Sequence, residues 1–98
     1  MKRAEVLLAG QVREFLSSLA PEAKKKLRAG IRGLESDQGD IKDLVDDLLG
    51  YKRLRVGSFR VIYMEAFRAG RPVRECVFAE RRNIVYELFA QMILDDLH

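Results

Sequence analysis

The chain has no tryptophan, one cysteine, one histidine and two prolines among 98 residues, and each scarcity removes a class of chemistry. Cys76 alone cannot close an internal disulfide, so nothing marks an oxidising compartment and the cytoplasm is the expected setting. His98 stands at the end of the sequence, which leaves no histidine for a Ser-His-Asp or Cys-His arrangement. One cysteine and one terminal histidine give no zinc spacing. No apolar run approaches the roughly 20 residues that a bilayer span needs. Arg13 and Glu14 interrupt any signal-like segment near the N-terminus. No glycine-rich loop precedes a helix, so a phosphate cradle of that kind is not expected. The acidic stretch Asp37 to Asp47 lacks calcium-loop spacing, and helix capping accounts for much of it. Neither a metal nor a cofactor is expected.

What is present is charge. Hydrophobic residues make up 48% and charged residues 34%, the balance of a soluble domain with one modest core. The net charge of +3 is unevenly placed: residues 51–86 carry +6, residues 1–34 carry +5, residues 35–47 carry −5 and residues 87–98 carry −3. The basic excess in 51–86 fits a polyanion footprint, and it equally fits a solvated face.

The stretch Gly50 to Tyr63, GYKRLRVGSFRVIY, reads as two strands joined by Gly57-Ser58, with glycine at the first central position of a tight turn. A two-residue turn sets Val56 opposite Phe59, Arg55 opposite Arg60 and Leu54 opposite Val61. Leu54, Val56, Phe59 and Val61 then share an apolar face that needs a core. Arg53, Arg55 and Arg60 share the other. Like charges directly opposed on a sheet are destabilising, so two readings stay open: an anion, best a phosphate, between the guanidinium forks, or arginines splayed into solvent.

The rest of the chain reads as a single domain, 1–98, of α+β class in the order β-α-α-β-β-β-α. Lys2 to Leu8 is a first strand. Val12, Phe15, Leu16 and Leu19 recur at helical spacing, and Pro21 opens a second helix whose stripe is Ala23, Leu27, Ile31 and Leu34. Asp40 is expected to cap a short helical turn through Leu49, ended by Gly50. Strands follow over Phe59–Phe67 and Val73–Glu80, then a helix from about Asn83 to Leu97 with Val85, Leu88, Phe89, Met92 and Ile93 as its stripe. The expected architecture is an antiparallel sheet with the helical hairpin on one face and the C-terminal helix beside an open cationic face. Arg81 and Arg82 end the last strand, and Tyr86 follows Arg82 at i+4. Guanidinium groups beside a phenol favour phenolate. Such a set can act on RNA, which carries its own nucleophile in the 2′-OH, with one proton acceptor and cations on the phosphate. On spacing alone Tyr86 reads rather as an amphipathic core tyrosine with its OH at the surface.

The run Tyr51-Lys-Arg-Leu-Arg-Val-Gly-Ser-Phe-Arg-Val-Ile-Tyr63 resembles the "yRLRvGdyRviY" segment of RelE/ParE-superfamily toxins of toxin–antitoxin operons, and Arg81-Arg82-Asn-Ile-Val-Tyr86-Glu-Leu-Phe resembles the "hRrdvYelf" end of the RelE branch. The resemblance spans nearly the whole chain. It implies a metal-independent endoribonuclease that cleaves mRNA, in association with the ribosome, and is neutralised by a cognate antitoxin in a hetero-oligomer. By position, Arg60 matches the arginine that stabilises the phosphate transition state, Tyr86 the tyrosine of proton transfer and base stacking, and Arg82 the arginine of the "hR" pair. Lys52, Arg53 and Arg55 fall where the family places cations around the scissile phosphate, and Arg81 stands where a histidine is frequent. The lysine-rich loop of the family is reduced here to Lys52, and arginine stays protonated, so Arg53 and Arg55 cannot replace a lysine base. The hairpin motif is shared with ParE-like inhibitors of DNA gyrase, which is the alternative reading. A binding module without catalysis is the third.

Overall fold

Apolar residues at i, i+3 and i+4 in the first third of the chain drive two short helices against a sheet. The structure, a computed structural model, describes residues 3–81 and 85–96. Strand β1 (Glu5–Leu8) leads into α1 (Gly10–Ser17) and α2 (Pro21–Arg32), followed by a 3₁₀ turn over Gly33–Ser36. Strand β2 (Asp40–Asp43), a 3₁₀ turn over Asp46–Leu48, β3 (Tyr51–Val56), β4 (Phe59–Arg68), β5 (Arg71–Arg81) and α3 (Val85–Asp96) complete the order. The five strands lie as β1-β5-β4-β3-β2. Pro21 occupies the first turn of α2, where its missing N–H leaves no bond unmade. Among the described residues no helix is long and apolar enough to cross a membrane.

Each sheet face has its own core. Val12, Leu16, Leu27, Ile31 and Leu34 of the helical hairpin pack on Leu54, Phe59, Val61 and Tyr63. Phe15 meets Phe59 edge-on at 5.7 Å. On the other face Phe89 of α3 packs with Ile62, Phe78 and Leu44. The hairpin register is the expected one, with Val56 opposite Phe59, Arg55 opposite Arg60 and Leu54 opposite Val61. Gly57 carries the positive φ of 58° that the turn demands.

Two expectations need correction. The sheet is mixed, because β1 joins β5 in parallel while every other pair is antiparallel. The segment after Gly39 begins as a strand: Asp40–Asp43 pairs with β3, and only Asp46–Leu48 turns helically. Asp40 therefore caps no helix. The ladder wins because it settles three residues at once: Ile41 falls beside Leu54 at the core, Asp40 meets Arg53 and Arg55, and Asp43 meets Lys52. A helix would have left the outer edge of β3 unpaired.

Two local features carry predictions. Ala69 and Gly70 both take positive φ, 52° and 78°, in the β4–β5 turn. A Cβ in this region is strained, whereas asparagine tolerates it. Ala69→Asn should stabilise the fold by about 0.5–1 kcal/mol, read as a raised urea midpoint at unchanged slope. A lowered midpoint would show the turn to be unstrained. At Gly30 a Cβ would sit 2.5 Å from Cγ2 of Val56, so α2 rests directly on β3. Alanine gains about 1 kcal/mol of helix propensity, but overpacking costs about 1–3 kcal/mol, and a β-branched valine has little room to turn. Gly30→Ala should destabilise by about 1 kcal/mol in the wild type and become stabilising in a Val56→Ala background. The same sign in both backgrounds would refute the contact.

Candidate functional site

Strand alternation sorts the charged side chains of the hairpin between the two faces. Residues directly opposed in an antiparallel pair share a face. Arg55 opposes Arg60, Asp40 opposes Arg55, Lys42 opposes Arg53, and Arg60 opposes Glu80. Arg53, Arg55 and Arg60 thus share the face that Ile62 and Phe78 present to α3. Lys42 and Asp40 of β2 and Glu80 of β5 join them. Four strands build this surface, three of them supplying its cations, and two neighbouring acids, Asp40 and Glu80, moderate it.

Asp40 is the anion among the arginines. Its carboxylate accepts a hydrogen bond from Arg53 Nη2 at 2.8 Å and lies 3.7 Å from Arg55 Nε. The Arg53 side chain is only 14% exposed, and its buried Nε has no hydrogen-bond partner among the described residues. Arg60 is held at the hairpin end, where Nη1 donates to the carbonyls of Gly57 and Phe59 at 3.0 Å each. The open readings of the hairpin thus resolve into a split: an internal carboxylate serves Arg53 and Arg55, and the turn's own carbonyls orient Arg60. Arg55 remains about half exposed.

Two other residues expected in the cluster lie on the opposite face. Lys52 opposes Tyr63, which is buried under the helical hairpin. Its ammonium pairs with Asp43 and Glu65. The hydrogen bond to Asp43 holds its pKa above the ordinary lysine value. Burial opposes this, and the charges of Asp43, Glu65 and Asp37 add to it. A lysine so held is a protonated partner of acids, on the face away from Arg53, Arg55 and Arg60. Arg81 opposes Phe59 and lies over its ring, 5.1 Å from the centroid, again on the helical-hairpin side. The physical cause is the same for both: side chains alternate along a strand, so the neighbours of Arg53 and Glu80 point away from them.

The tyrosines sort themselves by environment. Tyr63 is fully buried, and its phenol is pushed up to about 12, first by burial and then by the charges of Asp37 and Glu65. Tyr51 packs edge-on against Phe89 at 4.9 Å. Tyr86, on the first turn of α3, is 37% exposed. Arg82 lies outside the described residues. β5 ends at Arg81, beside the Arg60 end of β4, and α3 starts at Val85. Four residue steps reach at most about 14 Å, so α3 begins at the arginine end of the sheet.

Asp40 and Lys42 are members of this surface that the helical reading of their segment hid. The signal was available: Asp40-Ile41-Lys42-Asp43 alternates, and its acids complement Lys52 to Arg55 across a ladder.

No protein-family model and no curated protein matches the sequence. Solved structures do. The RelBE2 toxin–antitoxin complex of Mycobacterium tuberculosis aligns at a TM-score of 0.69 and 20% identity, covering 84% of this chain and 94% of that one. A YoeB/ParE toxin from Agrobacterium tumefaciens aligns at 0.64 and 16%, covering 80% and 98%. The archaeal RelE–RelB complex from Pyrococcus horikoshii aligns at 0.63 and 22%, covering 83% and 97%. The chain therefore has the fold of the RelE/ParE toxins over nearly the full length of those proteins.

Proposed function

We propose that the protein is the toxin of a toxin–antitoxin pair and an endoribonuclease that cleaves mRNA by attack of the 2′-OH on the adjacent phosphate. The observation that carries this is the gathering of Arg53, Arg55 and Arg60 on one sheet face at the end where α3, bearing Tyr86, begins. Arg60, oriented by two carbonyls, stabilises charge on the phosphoryl oxygens, and Arg53 and Arg55 bind the flanking phosphates. Tyr86, the exposed tyrosine among the described residues, takes the proton or stacks on a base. Arg82, four residues before it in the sequence, adds charge. With Lys52 and Arg81 turned to the other face, Lys52 is no base here, and Arg81 serves Phe59 before it serves RNA. The mycobacterial and Pyrococcus neighbours are complexes with antitoxins, which supports a cognate antitoxin for this chain, and a ribosome-associated substrate follows the same reading.

A ParE-like action on DNA gyrase is the second reading. The fold likeness to a YoeB/ParE toxin and the turning of Lys52 away from the arginine face favour it. Expression in a bacterial host with mapping of mRNA ends separates the two. Ends at fixed codon positions support cleavage. An SOS response with intact mRNA supports gyrase. Unaffected growth at high soluble expression defeats both.

A further inference from the structure

Strand β1 is an edge of the sheet, and its outer side is only partly covered. Ala9 donates its N–H to Cys76 of β5, so by alternation Glu5 and Leu7 also face β5, while Ala4, Val6 and Leu8 turn their N–H and C=O outward. Both ends of this outer row are capped from within the chain. The Ala4 N–H donates to the carbonyl of Glu35 at 3.0 Å, and the carbonyl of Leu8 accepts from Arg13 Nη1 at 2.7 Å. Between the caps, Val6 has no partner for its N–H or its C=O among the described residues. A strand edge left unpaired is a template for another chain.

Beside Val6 the helical hairpin leaves a hollow of about 300 Å³. Val6, Leu8 and Ile31 give it an apolar floor, and Arg13 of α1 with Arg28 and Arg32 of α2 line it. Arg28 and Arg32 are exposed and stand at i and i+4, where like charges repel. Among the described residues no acid pairs with Arg13, Arg28 or Arg32. Glu35 is the acid among the described lining residues, and its carboxylate lies 3.9 Å from Arg3. A second hollow shares Arg32 and Glu35 and carries the groove on to Arg3. The cations thus line the groove itself. It lies on the sheet face away from Arg53, Arg55 and Arg60, since Leu8 pairs with Cys76 under the helical hairpin.

We propose that an extended acidic segment of a partner protein adds to β1 at this groove. Its backbone pairs with the N–H and C=O of Val6, and alternate side chains enter the hollow, an apolar one over Val6 and Ile31 and a carboxylate against Arg28 and Arg32. The carboxylate relieves the repulsion between the two arginines. A second copy of this chain would set two cationic rims against each other, and a neutral strand would leave the guanidinium groups unpaired. RNA matches the charge but brings no strand to pair with Val6. The partner is the antitoxin proposed above, so the inference rests on that reading.

The test titrates the purified product of the neighbouring small gene against the wild-type chain, an Arg28→Glu/Arg32→Glu variant and a Lys24→Glu/Lys25→Glu variant, which makes the same change of net charge on α2 outside the groove lining. The dissociation constant should rise about tenfold or more for the arginine pair and less than about threefold for the lysine pair, while cleavage by the free toxin stays unchanged in both. Amide exchange read by NMR on the labelled toxin should slow about tenfold or more at Val6 in the wild-type complex, because a backbone pair forms there. Equal loss of affinity in the two variants would show long-range attraction only and overturns the groove. Lost affinity without protection of Val6 overturns strand addition. Equal affinity of all three proteins overturns the groove but leaves the antitoxin reading intact, and failure of the wild type to bind overturns both. A matching loss of affinity for a short single-stranded RNA in the arginine variant would assign the groove to nucleic acid, and this too would overturn the proposal.

Discussion

Replacing Arg60 with alanine is expected to reduce RNA cleavage by about 10²-fold or more. That is the scale of losing one donor already aimed at the charge that develops in the transition state. The bonds from Nη1 to the carbonyls of Gly57 and Phe59 at 3.0 Å each hold the Arg60 guanidinium at the hairpin end, the placement on which this expectation rests. The fold should survive, because Arg60 lies outside both apolar cores. Loss of the two carbonyl contacts costs at most about 1–3 kcal/mol. Arg60→Lys keeps the charge and loses the planar fork, so its activity should fall between alanine and wild type. Single-turnover cleavage of a defined mRNA with matched circular dichroism is the measurement. Wild-type cleavage by a folded Arg60→Ala protein rules the assignment out.

The hairpin was the most legible part of the chain, for a local reason. A two-residue turn fixes the register by itself, and the register fixes which side chains share a face, so Arg55 opposite Arg60 follows from Gly57-Ser58 alone. The helical hairpin was legible from its apolar spacing and Pro21. Strand β2 was hidden because Ile41, Leu44, Val45 and Leu48 also fit a helical stripe. The deciding term is the open edge of β3, which local periodicity does not contain. The side of Lys52 was hidden behind the motif: a cation one residue from Arg53 looks like part of a cluster until alternation is applied. Arg81 carries a second lesson. The β4–β5 register shifts between Ile62 and Tyr63 of β4, where Val77 of β5 is passed over, and one extra residue decides which of Glu80 and Arg81 joins Arg60. Asp40 could be read only once β2 was in place.

That carboxylate governs the second large effect expected, the response of RNA binding to salt. Binding that rests on phosphate contacts falls with ionic strength by a log–log slope of about −0.7 per phosphate neutralised on a single strand. Arg53, Arg55, Arg60 and Arg82 would give a slope near −3 if all four were free to exchange. Asp40 already occupies part of Arg53 and Arg55, at 2.8 and 3.7 Å, so the wild-type slope should lie nearer −2. Raising salt from about 50 to 200 mM then weakens binding about 15-fold. Arg55→Glu should weaken binding at low salt and flatten the slope by about one unit or more. Asp40→Asn should act in the opposite direction, tightening binding at low salt and steepening the slope, because phosphate no longer competes with a carboxylate for the two guanidinium groups. Fluorescence anisotropy on a short single-stranded RNA across the salt series measures all three proteins. A flat salt response in the wild type would show the basic face to be incidental to RNA. An Asp40→Asn protein that is folded yet binds more weakly would mean that the carboxylate's chief effect is to hold Arg53 in place rather than to compete with phosphate for it.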